Sequence, residues 1–207
     1  MSDFIYLASQ SPRRQELLKQ IGVRFEMLLP APGEDAESIE IPLPQEKARD
    51  YVKRVTLGKA SLALACWRKS GLPWAPILCA DTTVSLPNSA DGEILGKPID
   101  ADDARRILEM LSGKTHEVLT AIALINNPED APNCVVKISE VEFANLSSEQ
   151  ISTYIASQEP FGKAGAYGIQ GSAGAFISKI NGSYSGIMGL PLYETAQLLE
   201  RARITRI

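Results

Sequence analysis

The sequence predicts an α/β protein with a mixed β-sheet, because strand-like apolar segments alternate with amphipathic helices along the whole chain. The 207 residues are 44% hydrophobic and 22% charged, as in globular proteins with a sizeable core. We expect a single domain over residues 1–207, since this length is typical of one domain.

The first predicted unit is a short strand that leads directly into a helix. The apolar segment Phe4–Ala8 suits a buried strand. Ser11 and Pro12 are typical of a helix start, because serine is a good N-cap and proline fits the first helical position. Gly22 is a favourable end for that helix, and Arg24–Leu29 is predicted to form a second strand.

An acidic loop rich in proline, residues 30–44, separates this unit from a long predicted helix over Gln45–Arg68. A buried strand, Pro76–Ala80, is expected to end at Asp81. The remaining expected elements are a hairpin of Thr83–Leu86 with Glu93–Leu95, a helix capped by Asp100 and ended by Gly113, strands Glu117–Ile125 and Cys134–Phe143, a helix opened by the capping box Ser147–Gln150, and a last helix over Leu192–Ala202.

Charge and hydropathy exclude several classes of partner. The formal net charge is −4 and no Lys/Arg-rich run is present, so we expect no nucleic-acid-binding face. No apolar run approaches the roughly 20 residues of a membrane helix, and no secretory signal is visible at the start of the sequence. The cysteines are three, far apart and without a CxxC pair, which is typical of reduced thiols and predicts a cytoplasmic location.

The single histidine, His116, excludes a multi-histidine zinc site. Any serine- or cysteine-based triad would also have to use that one imidazole. We interpret His116, at the start of a predicted strand, as structural or partly buried rather than catalytic.

Two segments are candidates for a functional site, and the first of them predicts a site for an anion. The loop Ser9–Arg14 leads into a helix N-terminus, where unpaired N–H groups and the helix dipole favour negative charge. The positive charges of Arg13 and Arg14 oppose that dipole, so these residues are unfavourable there in a purely structural role. Their guanidinium groups match the geometry of phosphate oxygens, which favours an anion site. Asp81 would either hold a divalent metal, orient a water as general base, or simply cap the next turn.

A third segment, residues 160–193, contains no Asp or Glu and is rich in glycine. Tyr167 offers a ring for stacking, and Gln170 offers both a donor and an acceptor, as reading the edge of a base requires. The alternative is a tightly packed turn region. We favour a wall that faces a ligand.

Taken together, these segments resemble the Maf-type nucleotide pyrophosphatases. Six motifs occur in the order of that family and cover nearly the whole chain. They are LASQSPRRQELL (7–18), GKA (58–60), ADTTV (80–84), ILGKP (94–98), LSGKTHEVLTA (111–121), and KAGAYGIQG with INGSYSGIMGLPLYET (163–195).

The resemblance implies a two-lobed mixed α/β fold with a central cleft, like that of inosine triphosphate pyrophosphatases. It also implies a nucleotide diphosphatase that cleaves nucleoside triphosphates to the monophosphate and pyrophosphate. The form GAYGIQG resembles the branch that acts on dTTP and UTP, including modified pyrimidine nucleotides. The divalent cation implied is Mg²⁺ or Mn²⁺, and a homodimer is possible.

By residue-to-residue match, Asp81 resembles the proton acceptor of the family. Phosphate-binding positions are matched by Ser9, Arg14, Lys59 and Lys97, metal-binding positions by Glu34 and Asp81, and positions linked to substrate choice by Arg13, Thr82 and Gln170. One departure is Gly162, which stands where the family commonly has Asp. Two alternatives stay open, a nucleotide-binding regulator of septum formation and a 7-methyl-GTP pyrophosphatase of the sister branch.

Overall fold

A seven-stranded mixed β-sheet forms the centre of the chain in the computed structural model, which describes residues 3–29, 38–87 and 93–204. Strands are β1 Ile5–Leu7, β2 Phe25–Met27, β3 Ile77–Ser85, β4 Ile94–Leu95, β5 Thr115–Ile125, β6 Asn133–Phe143 and β7 Ile177–Asn181. Helices are α1 Pro12–Gln20, α2 Ala48–Ser70, α3 Ala101–Leu111, α4 Ser148–Ala156, α5 Tyr184–Met188 and α6 Leu192–Arg201. None of the helices in these ranges is long and apolar enough to cross a bilayer.

The sheet combines parallel and antiparallel pairs, which confirms the predicted fold class. Its order is β2-β1-β3-β5-β6-β7, with β4 paired to β3. β1 runs parallel to both β2 and β3, whereas β3, β5, β6 and β7 form an antiparallel series. The predicted hairpin is confirmed, because β4 pairs antiparallel with the end of β3.

The prediction that a strand ends at Asp81 is wrong. β3 continues through Asp81 to Ser85, and every residue from Ile77 onward has a partner on β5. The threonines and valine after Asp81 suit an extended strand, and the continuous ladder satisfies their backbone groups. Asp81 therefore lies in mid-strand, opposite Ala121.

The other edge of β3 carries an interrupted ladder. β1 pairs with Ile77 and Leu78, and β4 pairs with Val84 and Ser85. Among the described residues, no strand lies on that edge beside the segment between these pairs, which has Asp81 at its middle. We call this gap the β3 notch, and the site described below is built around it.

The hydrophobic core divides along the long strands, in agreement with the expected two lobes. At one end, Leu108, Phe143 and Ile151 belong to a cluster that packs α3 and α4 against the sheet. At the other end, one cluster includes Leu18 and Leu199 of α1 and α6, and another cluster packs α2 on the opposite face. The β3 notch lies between the two ends.

Local capping patterns were predicted with mixed success. The Asp100 cap and the Ser147–Gln150 capping box are confirmed, since both Asp100 and Ser147 accept backbone N–H groups. Ser11 is confirmed as the N-cap residue of α1, which begins at Pro12 as predicted, although the Ser11 side chain makes no capping hydrogen bond. α2 begins at Ala48 rather than Gln45, because Gln45 has a φ of 59° and cannot continue a right-handed helix.

Candidate active site

A cavity of about 1050 Å³ opens at the β3 notch. It is bounded by the loop before α1, the middle of β3, one side of α2, and the glycine-rich segment. The lining residues are Ala8, Ser9, Gln10, Ser11, Pro12, Arg13, Arg14, Leu29, Glu40, Lys59, Leu62, Ala63, Ala80, Asp81, Thr82, Val84, Lys97, Val118, Gly162, Lys163, Ala164, Tyr167, Gly168, Ile169, Ile187, Met188 and Gly189.

The ionisable side chains of the cavity wall are mostly cationic. Two carboxylates, those of Asp81 and Glu40, face five cations. The cations are Arg13, Arg14, Lys59, Lys97 and Lys163. The described wall therefore carries a formal charge of +3 (five minus two), whereas the whole chain carries −4. A small polyanion is favoured at this place on a protein that is acidic as a whole.

A chain of ion pairs organises one side of the cavity. The Lys59 Nζ lies 2.6 Å from Asp81 Oδ1 and 2.6 Å from Glu40 Oε1. Glu40 Oε2 accepts a hydrogen bond from Lys97 Nζ at 2.9 Å. Lys59 projects from α2 and Asp81 from β3, and both side chains are largely buried, so each restrains the orientation of the other.

The environment of Glu40 keeps it ionised. Burial alone raises the pKa of its carboxyl, but the hydrogen bonds and charges of Lys59 and Lys97 outweigh burial and lower that pKa below its usual range. Glu40 thus remains a carboxylate at neutral pH between two ammonium groups.

Glu40 is a candidate site residue that the sequence analysis missed. The acidic loop offered several carboxylates without a spacing that selects among them, and the family match pointed to Glu34. The contact with Lys59 spans 19 positions along the chain, so no local pattern reveals it. Glu34 lies outside the described residues, and its role as a metal ligand stays a prediction.

Arg14 forms the other side of the charged wall. Its Nε donates to the Gly189 carbonyl oxygen at 2.8 Å, and its terminal nitrogens donate to Ser9 Oγ at 2.9 Å and Thr82 Oγ1 at 3.4 Å. Burial lowers the pKa of the guanidinium, although the charge of Asp81 opposes this effect. All three hydrogen-bond acceptors are neutral, so an anion in the cavity would find this positive charge uncompensated by direct partners.

Lys163 adds a cation from the glycine-rich segment. Burial, together with the nearby charge of Arg13, lowers the pKa of its ammonium. That ammonium donates to the backbone carbonyl of Glu159 rather than to a carboxylate. Gly162, immediately before Lys163, has no side chain and so supplies no acid to Lys163 or Arg13.

The glycine-rich segment forms part of the cavity wall, in agreement with the predicted wall. Gly165 has a φ of 70° and packs so closely on β3 that a Cβ atom would lie 2.7 Å from a methyl group of Val84. The hydroxyl of Tyr167 lies 2.8 Å from Nε2 of His116, which is fully buried. The structural interpretation of His116 is confirmed, because it supports Tyr167 from behind and does not line the cavity.

The structure brings most of the predicted site residues together. Ser9, Arg13, Arg14, Lys59, Asp81, Thr82 and Lys97 all line the cavity. Gln170 is exposed and does not belong to the lining, so the structure does not bring it together with the other residues. Its link to substrate choice stays a prediction.

The donor set of the site suits a hard cation. Within the described ranges, no group of three or more His, Cys, Asp or Glu side chains could hold a metal ion by itself. The carboxylates of Asp81 and Glu40 nevertheless lie close together, because both form an ion pair with Lys59. Mg²⁺ is commonly bound by one or two carboxylates together with substrate phosphates, so these residues fit an ion that arrives with its substrate.

Comparison with known proteins now identifies the family. The model of the family described as "Maf-like protein" matches residues 4–202. The chain belongs to the Maf-like protein family. It is 57% identical over 200 residues to the dTTP/UTP pyrophosphatase of Burkholderia orbicola (strain AU 1054). The aligned residues cover 97% of this chain and 93% of that protein.

Two further relatives carry the same name. The dTTP/UTP pyrophosphatase of Ralstonia nicotianae is 57% identical over 201 residues, covering 97% of this Maf-like chain and 95% of its own. That of Albidiferax ferrireducens is 57% identical over 200 residues and covers 97% of both chains. Among solved structures, the Staphylococcus aureus Ham1 protein can be superposed on 68% of this chain and over 72% of its own length. The TM-score is 0.44 and the sequence identity is 10%.

Proposed function

We propose that this Maf-like protein hydrolyses dTTP and UTP to the nucleoside monophosphate and pyrophosphate. The observation that carries the proposal is the ion-paired carboxylate Asp81, which lies in a cavity lined by five cations. The names of the relatives support the substrate class. Modified pyrimidine triphosphates belong to the same proposal, because they carry the same triphosphate.

The triphosphate would lie against the cations of the β3 notch. Arg14 and Ser9 would contact phosphate oxygens from the loop before α1, and Lys59 and Lys97 would contact them from the opposite side. Phosphoryl transfer asks a protein chiefly for positioning and charge stabilisation, and this wall supplies both without a histidine.

Asp81 would orient the attacking water and accept its proton. The water oxygen forms a new bond to phosphorus, the bridging bond between the α and β phosphates breaks, and pyrophosphate leaves with the bridging electron pair. Lys59, 2.6 Å from Asp81, holds the carboxylate in place during this step.

The metal-binding role is proposed for Asp81 and Glu40, with Glu34 as a further candidate. A divalent cation, Mg²⁺ or Mn²⁺, supplies charge neutralisation for the phosphates when bound. Glu40 would be ready to bind this cation, because Lys59 and Lys97 keep its carboxyl ionised before the substrate enters.

Substrate choice is proposed for Arg13, Thr82 and Gln170. Arg13 and Thr82 line the cavity, which supports their assignment directly. Gln170 lies outside the lining, and it would act only after the glycine-rich segment adjusts around a bound nucleotide.

A nucleotide panel tests the proposed function. Purified protein is incubated with dTTP, UTP, CTP, 5-methyl-UTP and 7-methyl-GTP, with Mg²⁺ or Mn²⁺, and pyrophosphate release is measured. We expect the highest kcat/KM for dTTP and UTP. Preference for 7-methyl-GTP would assign the protein to the sister branch, and binding without turnover on every nucleotide would favour the septum regulator.

Three organisational proposals accompany the function. The single domain over residues 1–207 is consistent with a family match over 4–202. The cytoplasmic location is supported by the free thiols of all three cysteines. The homodimer stays a prediction, which sedimentation at micromolar concentration would check.

A further inference from the structure

Two hydrogen bonds between neutral groups form a chain behind the cavity wall, on the face of the sheet that carries α5. Thr82 Oγ1 lies 2.9 Å from the Oγ1 of Thr120, its partner across the β3–β5 ladder. Thr120 Oγ1 in turn donates to the Gly186 carbonyl oxygen at 2.7 Å. Thr120 is fully buried and does not line the cavity, whereas Thr82 does.

The direction of each proton in this chain follows from counting donors. A hydroxyl has one proton, and a carbonyl oxygen can only accept. The Thr120 proton is committed to Gly186, so in the pair of threonines Thr82 must be the donor. Arg14 can only donate, so its contact with Thr82 occupies one of the two lone pairs of Thr82 Oγ1. Thr82 therefore has only a lone pair left for the cavity.

Ser9 shows the opposite polarity on the same guanidinium. Its Oγ accepts from Arg14 at 2.9 Å and from the Ser11 backbone N–H at 3.3 Å, which occupies both lone pairs. In the described part of the chain, no acceptor takes the Ser9 proton. Ser9 can therefore donate to a ligand, as a phosphate oxygen requires, while Thr82 can only accept.

We propose that Thr120 is a positioning residue for substrate choice, because it fixes the Thr82 hydroxyl as an acceptor for the N3–H group of uracil or thymine. The inference rests on the proposed function. Uracil and thymine present an N–H donor at N3, whereas cytosine presents a bare acceptor there. A hydroxyl that can only accept forms a hydrogen bond with N3–H of uracil or thymine, and it repels the N3 lone pair of cytosine.

Other groups of the substrate do not need a fixed acceptor. Phosphate oxygens only accept at neutral pH, so Thr82 repels them and Ser9 attracts them. A ribose hydroxyl adapts to either polarity by rotation. Only the base edge distinguishes UTP from CTP, and the polarity of Thr82 selects between them at that edge.

The test compares kcat/KM for UTP and CTP in wild type, Thr120→Val and Thr120→Ser. Valine keeps the shape of threonine but leaves the Thr82 proton without its acceptor, so it can turn into the cavity. We expect the UTP-over-CTP ratio to fall about tenfold in Thr120→Val and to be retained within about twofold in Thr120→Ser, as for the loss of one directed hydrogen bond. Thr56→Val is the matched control, since its buried hydroxyl donates to the Val52 carbonyl within α2.

Several results would overturn the inference. One is an unchanged ratio in Thr120→Val, and another is an equal loss for both nucleotides, which indicates a purely structural role. If Thr120→Val does not fold, Thr82→Val measures the same ratio by deleting the acceptor, and an unchanged ratio there refutes the inference.

Failure of the proposed function is recognised separately. It appears in the wild type as no pyrophosphate release from any nucleotide. In that case the ratio of UTP to CTP dissociation constants, measured by calorimetry on the same variants, replaces the kinetic ratio. Equal affinities in the wild type would refute the role of Thr120.

Discussion

The two faces of β3 differ sharply at adjacent residues. Asp81 points towards α2 and joins an ionic network with Lys59 and Glu40. Thr82 points to the opposite face, where it joins the neutral hydroxyl and carbonyl groups around Thr120 and has no carboxylate partner among the described residues, although the Arg14 guanidinium also contacts it. Successive side chains of a strand alternate between faces, so one peptide bond separates the charged network from the neutral one. In the proposed function, the reaction therefore takes place on one face of β3 and base selection on the other.

The largest expected effect comes from neutralising the charged face. Asp81→Asn keeps the size of the side chain but removes the proton acceptor. We expect kcat to fall at least about 1000-fold, equivalent to about 4 kcal/mol, with KM changed only a few-fold. Steady-state pyrophosphate release measures both constants. Full activity in this variant would show that Asp81 is not the proton acceptor and that the reaction does not take place on the charged face.

A smaller effect distinguishes the two candidate carboxylates of the acidic loop. Glu40→Gln leaves Lys59 and Lys97 without their shared carboxylate, and we expect kcat/KM to fall about 100-fold, or about 2.7 kcal/mol. The measurement is a Mg²⁺ titration of UTP hydrolysis. Glu34→Gln is the matched variant. A larger loss in Glu34→Gln than in Glu40→Gln would return the metal role to Glu34.

The smallest effect concerns the neutral face. His116 lies on the same face of β5 as Thr120, and burial lowers the pKa of its imidazole from 6.5 to about 4. The unfolded chain therefore binds a proton that the folded chain does not, and stability is lost as the pH falls from 6.5 towards 4. Between pH 7 and 5.5, this linkage lowers the free energy of unfolding by about 1 kcal/mol.

Urea unfolding of wild type and His116→Gln at pH 7 and 5.5 measures that linkage. The variant lacks the titrating group, so its free energy of unfolding should fall by about 1 kcal/mol less than that of the wild type across this interval. This difference does not depend on how stable the variant is at pH 7. Equal pH dependence in both proteins would mean that the neutral face tolerates a charge at this position.

The sequence predicted what depends on neighbouring residues. The caps at Asp100 and Ser147 and the β3–β4 hairpin were readable from local patterns. The middle position of Asp81 in β3 was not, because the pairing with β5 decides it and a lone Asp resembles a strand end.

The contacts that define the site were the least predictable. Glu40 and Lys59 are 19 positions apart, Thr120 and Gly186 are 66 apart, and Arg14 and Gly189 are 175 apart. Such pairs follow from the topology of the sheet rather than from any spacing in the chain. The motifs indicated which residue types matter, and the fold alone decides which of them touch.

The interrupted ladder beside β3 has a consequence for association between chains. An unpaired strand edge is ordinarily a template to which a strand of another molecule can add. Here β1 closes the edge at Leu78 and β4 closes it again at Val84, so the open stretch is too short to seat a foreign strand. The backbone edge of the β3 notch is thereby left for a small molecule in the cavity, and β1 and β4 protect the protein from edge-to-edge aggregation at this place.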